Sequence, residues 1–204
     1  MRYYLERNEP RTESDRYAIC KQISYHLGGP LDADAIWQEV LAVRPDADPA
    51  QRTLLDTCVA KCSAAQWTPA AQTDVIVSSE KHGIAGMLDR VSADGTFSVI
   101  RAAGALPSGT YAADRLRIAC LALCLEEMTG NVVKGGNVVY IPDGVSRFHE
   151  VQPRDRRQML ATLKTVRSIR DGAVPQHPLN APCNRCRHKA RCETGVGKRL
   201  SELL

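Results

Sequence analysis

The spacing of apolar residues changes twice along this chain, and the changes divide it. From residue 14 to 28 they fall at Tyr17, Ile19, Cys20, Ile23 and Leu27, a helical stripe that Ser14 or Asp15 can cap and Gly28-Gly29-Pro30 stops. Residues 31–43 repeat the pattern through Leu31, Ile36, Trp37, Val40, Leu41 and Val43, and Pro45 with Pro49 marks the break. A longer helix over 50–66 puts Leu54, Leu55, Cys58, Val59 and Cys62 on one face. At Asp74 the period shortens. Val75-Ile76-Val77 reads as a strand and residues 82–91 as another. Ser92-Ala93-Asp94-Gly95 then turns the chain into Phe97-Ser98-Val99-Ile100-Arg101. The result is an antiparallel meander with a carboxylate, Asp89, near the end of its middle strand. Helical spacing returns over 111–129, which Asp114 starts and whose buried side holds Leu116, Ile118, Ala119, Leu121, Leu123 and Leu125. Val132-Val133, Val138-Val139-Tyr140-Ile141 and Phe148 to Val151 are short strands. Residues 153–170 make a basic amphipathic helix on Met159, Leu160, Leu163, Val166 and Ile169. The order predicts a mixed α/β domain around one small sheet.

Composition narrows the class. At 204 residues the chain fits one domain with a real core. It has no apolar run of membrane-spanning length, and Met-Arg-Tyr-Tyr-Leu-Glu-Arg-Asn-Glu is not a signal peptide, so the expectation is a soluble, cytoplasmic protein with no membrane partner. Eight cysteines in such a chain argue for metal or burial rather than disulfides. Charge is uneven: residues 1–140 carry 14 Lys and Arg against 17 Asp and Glu, whereas residues 141–204 carry 13 against 6. A basic C-terminal third suits a polyanion, DNA first, and the low aromatic content points to phosphates rather than stacked bases. The plain alternative is a solvated basic face that only keeps the protein in solution.

The basic third is built around Cys183-Asn184-Arg185-Cys186-Arg187-His188-Lys189-Ala190-Arg191-Cys192. Three thiols in a polar segment suit a soft metal centre but leave a tetrahedral ion or a cubane cluster one ligand short. Cys20, on the first helical stripe, is the candidate fourth ligand. Zinc or an iron–sulfur cluster would satisfy this count, and three unrelated reduced cysteines are the remaining alternative. The pairs Cys58/Cys62 and Cys120/Cys124 stand one turn apart within apolar stripes, where cysteine acts as a small hydrophobe.

Several stretches together resemble the CRISPR-associated RecB-like exonucleases, the four-cysteine iron–sulfur nucleases of CRISPR adaptation. They are Ser14-Asp15 to Tyr25 with Cys20, Ser79 through Val91 with Asp89, Asp114 through Glu127, Val138-Val139-Tyr140 leading to Arg147, and the three terminal cysteines. The resemblance implies a PD-(D/E)xK (RecB-like) core with a small mixed sheet flanked by helices. It also implies a [4Fe–4S] cluster on Cys20, Cys183, Cys186 and Cys192 that joins the N- and C-terminal segments. On this reading residues 1–73 are a helical part carrying the first cluster cysteine, 74–152 the nuclease core, and 153–204 the basic helix and cluster segment.

The chain departs from that family where cutting is done. A hard divalent cation at a phosphodiester needs at least two carboxylates, usually with a lysine beside them. The family supplies these as Glu-x-Lys on the strand after the Asp. Here Ile100 and Ala102 hold those places, no acid lies between Asp94 and Asp114, and no lysine lies between Lys81 and Lys134. Arg117 stands where the family has glutamine, and the helix from Gln51 to Trp67 lacks the family's histidine. Arg101 and Arg117 would repel Mg²⁺ or Mn²⁺ and accept a phosphate. Asp89 becomes a vestige, a partner for Arg90, Arg101 or Arg117.

The expectation is a catalytically inactive, cluster-containing protein that holds single-stranded or forked DNA. Arg101, Arg117, Arg154, Arg157, Arg185, Arg187, Lys189 and Arg191 are the candidate contacts, and CRISPR integrase or effector-complex proteins the candidate partners. Arg156, Lys164, Arg167 and Arg170 extend the stripe on the basic helix. No catalytic Mg²⁺ or Mn²⁺ is expected. Two alternatives stand beside this reading: an active Mn²⁺- or Mg²⁺-dependent single-strand exonuclease that processes prespacers, using Asp89 with Glu80, Asp94 or Asp114, and a protein-interaction subunit that never touches nucleic acid.

Overall fold

The structure, a computed structural model, describes residues 14–174. The chain divides into two compact units, Glu13–Met159 and a second made of Met1–Thr12 with Leu160–Leu204. In the first unit α1 (Asp15–His26), α2 (Ala33–Val43) and α3 (Gln51–Ser63) precede β1 (Ala70–Ser79), β2 (Ile84–Ser92) and β3 (Phe97–Arg101). Next come α4 (Ala112–Thr129), β4 (Gly135–Tyr140), a 3₁₀ turn (Ile141–Asp143) and β5 (Val145–Glu150). The last helix, α5 (Pro153–Arg170), begins in the first unit, and its residues from Leu160 onward belong to the second. Among the described residues no helix is long and apolar enough to cross a membrane.

The five strands form one mixed sheet in the order β1-β2-β3-β4-β5. β1/β2, β2/β3 and β4/β5 are antiparallel, while β3 and β4 run parallel with Ile100 opposite Val139. A parallel pair needs a crossover, and α4 is carried on it. Successive residues of a strand point to opposite faces, and both faces are covered here. Ile100, Val139 and Ile141 pack with Ile19, Ile23, Ile36, Val40 and Leu55 from α1–α3. Val99, Val138 and Tyr140 pack with Val77, Leu88 and Phe97 against Ile118, Leu121 and Ala122 of α4. This is why Val138 to Ile141 reads as an unbroken apolar run.

Local chemistry sets the helix starts. Ser14 Oγ accepts from the Tyr17 amide at 3.3 Å, and Asp32 Oδ1 accepts from the Asp34 and Ala35 amides at 2.9 and 3.1 Å. At α5, Asp155 reaches back to the Gln152 amide at 3.0 Å, the reciprocal half of a capping box. Gly130, left-handed at φ 70°, closes α4.

The sequence reading needs three corrections. Val132-Val133 is not a strand: it lies in the connection after α4, with Val132 largely exposed. β4 starts instead at Gly135-Gly136, where a Cβ on Gly136 would stand 2.5 Å from the Phe97 ring. Asp114 does not start α4. Tyr111 occupies the cap position, and Asp114 is buried in the first turn with a different task. Finally, Arg156 is no part of an open basic stripe. Its two terminal nitrogens each donate to Glu126 at 2.7 Å, tying α5 to α4.

That clamp gives the fold a readable acid limb. The Arg156 hydrogen bonds hold the Glu126 carboxyl below its usual range. Its contribution is therefore complete above the ordinary carboxylate range and lost as pH falls through the folded value. Glu126→Gln should cost about 1 kcal/mol at neutral pH. In thermal melts as a function of pH, the gap to the unmodified protein should close below about pH 4.

Candidate functional site

The site forms where β2, β3, α1 and α4 converge on Asp89. Its carboxylate is fully buried, 0% exposed, and it is not alone. Lys21 of α1 donates from Nζ to Oδ1 at 2.8 Å, the Ile100 amide of β3 donates to Oδ2 at 2.8 Å, and Arg117 of α4 donates to Oδ2 at 3.3 Å. The β2/β3 register runs only through Val91↔Phe97 and Arg90↔Ser98, so the Asp89 side chain takes up a strand amide just beyond the end of the paired stretch. A buried carboxylate with an ammonium, a guanidinium and an amide on it is neutralised within the fold.

Lys21 carries a second carboxylate. It also donates to Oδ1 of Asp74, whose Oδ2 accepts from the Tyr25 hydroxyl at 2.6 Å. Lys21 stands 5.2 Å from the Tyr25 ring centre, one turn along the same helix. Burial alone would lower the Lys21 ammonium, but the hydrogen bonds to Asp74 and Asp89 outweigh it and hold the group above its ordinary value. Burial and the Asp74 hydrogen bond push the Tyr25 hydroxyl up to about 12. Asp74 adopts φ 56° inside β1, the left-handed region that aspartate tolerates better than most residues.

A second buried carboxylate is used in the same way. Asp114 Oδ2 accepts from the Tyr140 hydroxyl at 3.0 Å, and Arg101 Nε lies 2.9 Å from Oδ1 as an ion pair. Burial and the nearby Asp114 charge push the Tyr140 hydroxyl up to about 12, so it stays a donor. Arg147 lies over the Tyr140 ring at 5.9 Å and donates to the carbonyls of Leu106 and Gly109, pinning the segment before α4.

Sequence reasoning placed the centre of this site and missed much of its rim. Asp89 is partnered by Arg117, one of three arginines proposed for it. Arg101 goes to Asp114 instead, and Arg90 goes to the Leu27 and Thr68 carbonyls at 2.7 and 3.0 Å. Lys21, Asp74, Tyr25 and Tyr140 were not anticipated. The usable signal was Lys21-x3-Tyr25, two polar-tipped side chains on one helix face. Arg101 and Arg117 are half-buried, at 35% and 34% side-chain exposure, so each guanidinium still presents an edge to solvent beyond its carboxylate. Arg154 and Arg157 are exposed on the first turns of α5. Cys183, Cys186, Cys192, Arg185, Arg187, Lys189 and Arg191 lie outside the described residues.

Cys20, the remaining candidate ligand, is fully buried on α1 among Ile19, Ile23 and α3 residues. Its thiol shares a hydrogen bond with Cys58. That bond, with burial, pushes the Cys20 thiol up; the same bond pulls the Cys58 thiol down against its burial. As a donor Cys20 fits a thiolate-bound centre, with Arg16 close enough to favour its ionised form. Binding such a centre would require its sulfur to leave Cys58. Cys58, Cys62 and Cys124 are buried in the two core clusters, as their apolar stripes imply. Among the described residues no three His, Cys, Asp or Glu side chains are grouped so as to hold a metal ion.

The fold is similar to that of a crystal structure from Eubacterium rectale described as a "Putative exonuclease". The TM-score is 0.60 at 10% identity, over 93% of this chain and 78% of that one. At that identity the likeness is one of fold: a nuclease-like α/β core. No protein-family model matches the chain, and no curated protein does.

The first consequence of this geometry concerns stability. Asp89→Ala strands the buried Ile100 amide, takes Arg117's carboxylate and leaves Lys21 with Asp74 alone, and should cost about 3 kcal/mol in urea unfolding. Asp89→Asn, which can still accept from Ile100, should lose less. A loss under about 1 kcal/mol in Asp89→Ala would show that the carboxylate carries little of the fold.

Proposed function

We propose that this chain is a catalytically inactive, CRISPR-associated RecB-like iron–sulfur protein that binds DNA through its phosphates, within an adaptation or effector assembly. The CRISPR setting rests on the sequence resemblance around Cys20, Asp89 and the terminal cysteines, and the nuclease-like core supports the fold it implies. The observation that carries the loss of catalysis is the set of donors on Asp89. A hard cation needs free carboxylate oxygens, at least two acids and room for water. Here Asp89 faces an ammonium, a guanidinium and an amide, and Ile100 and Ala102 stand where the second acid and the lysine would be.

DNA binding is supported by the same arginines. Arg101 and Arg117 sit at the rim with N–H groups beyond those spent on Asp114 and Asp89. Arg154 and Arg157 add exposed charge on α5. Such contacts position a backbone without reading bases. Purified protein with labelled single-stranded DNA and Mn²⁺ should leave the DNA intact while binding it, with affinity falling steeply as salt rises. Arg117→Gln should weaken binding equally across sequences. Cleavage abolished by Asp89→Ala would establish the active exonuclease instead, and binding indifferent to salt would favour a protein partner.

The cluster is proposed on Cys20, Cys183, Cys186 and Cys192, as a structural clasp rather than a reagent. Protein purified without oxygen should be brown, with acid-labile sulfide and about four irons per chain. Cys20→Ala should remove the colour and Cys58→Ala should keep it. A colourless protein with stoichiometric zinc would replace the cluster with zinc.

A further inference from the structure

Two carboxylates and one lysine at the head of the sheet are arranged around a single point. Asp74 and Asp89 each divide their oxygens in the same way. The Oδ2 atoms are held from outside, Asp74 by the Tyr25 hydroxyl and Asp89 by the Ile100 amide and Arg117. The Oδ1 atoms both turn to the Lys21 ammonium. Tyr25, the Ile100 amide and Arg117 therefore fix both carboxylates whether or not the lysine is there.

We propose that the Lys21 ammonium is a tethered stand-in for a divalent cation, filling a two-carboxylate site formed by Asp74 and Asp89. This rests on the reading of the fold as a nuclease that has stopped cutting, and it names the group that closes the site. Two oxygens sharing one tetrahedral ammonium stand about 4.6 Å apart across two hydrogen bonds. A Mg²⁺ or Mn²⁺ ion, at about 2.0–2.2 Å from each, holds them about 3–4 Å apart. The exchange of one for the other is thus nearly isosteric at the charge, but not in chemistry. An ammonium has no open coordination position, so it neutralises the acids without activating a water. Asp74 is also not on the strand that supplies the family's second acid. The pair is a site of this chain's own, contributed by β1 and β2 and closed by α1.

The test is Mn²⁺ binding to the purified protein, read by the loss of the free-ion electron paramagnetic resonance signal and by thermal melting. The unmodified protein should leave the Mn²⁺ signal and its own melting temperature unchanged. Lys21→Ala should melt several degrees lower and recover most of that loss in millimolar Mn²⁺, with about one ion bound. Adding Asp74→Asn to Lys21→Ala should abolish the recovery. If Lys21→Ala does not fold, Lys21→Met with and without Asp74→Asn decides the matter. The double variant should be the more stable, because it removes one of two neighbouring carboxylate charges that have lost their shared ammonium. The proposal is overturned by a Mn²⁺-indifferent, folded Lys21→Ala, by tight Mn²⁺ binding to the unmodified protein that Asp74→Asn removes, or by a double variant no more stable than Lys21→Met. None of these readouts depends on DNA. Cleavage by the unmodified protein would instead sink the inactive-nuclease reading.

Discussion

A fully buried carboxylate must be paired, and Asp89 is paired three ways by three different elements. Lys21 brings α1, the Ile100 amide brings β3 and Arg117 brings α4, so one charge fixes how the helical layer, the sheet and the crossover helix meet. The cost of desolvating an isolated carboxylate is several kcal/mol, and removal of one partner exposes most of it. The donors therefore act as a set. The Ile100 amide has the further effect of satisfying backbone just past the β2/β3 pairs, which lets the two strands part without stranding a buried N–H. Asp114 repeats the solution at the same end of β3, with Arg101, the residue after Ile100, and Tyr140 as its partners.

This way of neutralising acids decides what the site can do. A divalent ion in the same place would add a polarising centre and a bound water of lowered pKa. Lysine and arginine supply only charge, fixed in position and unable to exchange ligands. What they add at the rim is donor capacity. Arg101 and Arg117 are about one-third exposed beside acids already paired, and fixed positive charge there favours an anion over a cation.

Much of this was legible in the sequence, and the limits have physical causes. Helices and strands followed apolar periodicity, and the missing Glu-x-Lys could be read directly because Ile100 and Ala102 are uncharged whatever their setting. Arg117 was found because it stands at the place of the resembled family's glutamine, but the sequence could not choose it over Arg90 and Arg101 as the Asp89 partner. Lys21 was missed because a lysine next to a helical apolar stripe reads as solvent-facing, and only the sheet's position shows that it is roofed. Asp74 was taken for the edge of a strand, since nothing local signals a left-handed residue inside one. Val132-Val133 misled because β-branched residues favour strands even where none forms, and the start of β4 at Gly135-Gly136 went unread because their use, clearance for the Phe97 ring and the neighbouring strand, is a tertiary fact. The terminal cysteines stand outside the described residues, so for them the sequence remains the whole of the argument.

Cys20 and Lys21 are neighbours on α1 and point about 100° apart around it. One turns to Cys58 on α3, the other to Asp74 and Asp89 on the sheet. The same helix is tied at its start by Arg16, whose Nε donates to the Ala102 carbonyl at 2.6 Å. α1 is therefore held along its length by a carbonyl, a thiol and two carboxylates, and it cannot shift at one of these without straining the others. A centre that drew the Cys20 sulfur away from Cys58 would act on the helix that carries Lys21. Were such a centre bound at Cys20, its effect on the Asp74–Asp89 pair would pass through this one helix of about three turns rather than through any long-range path.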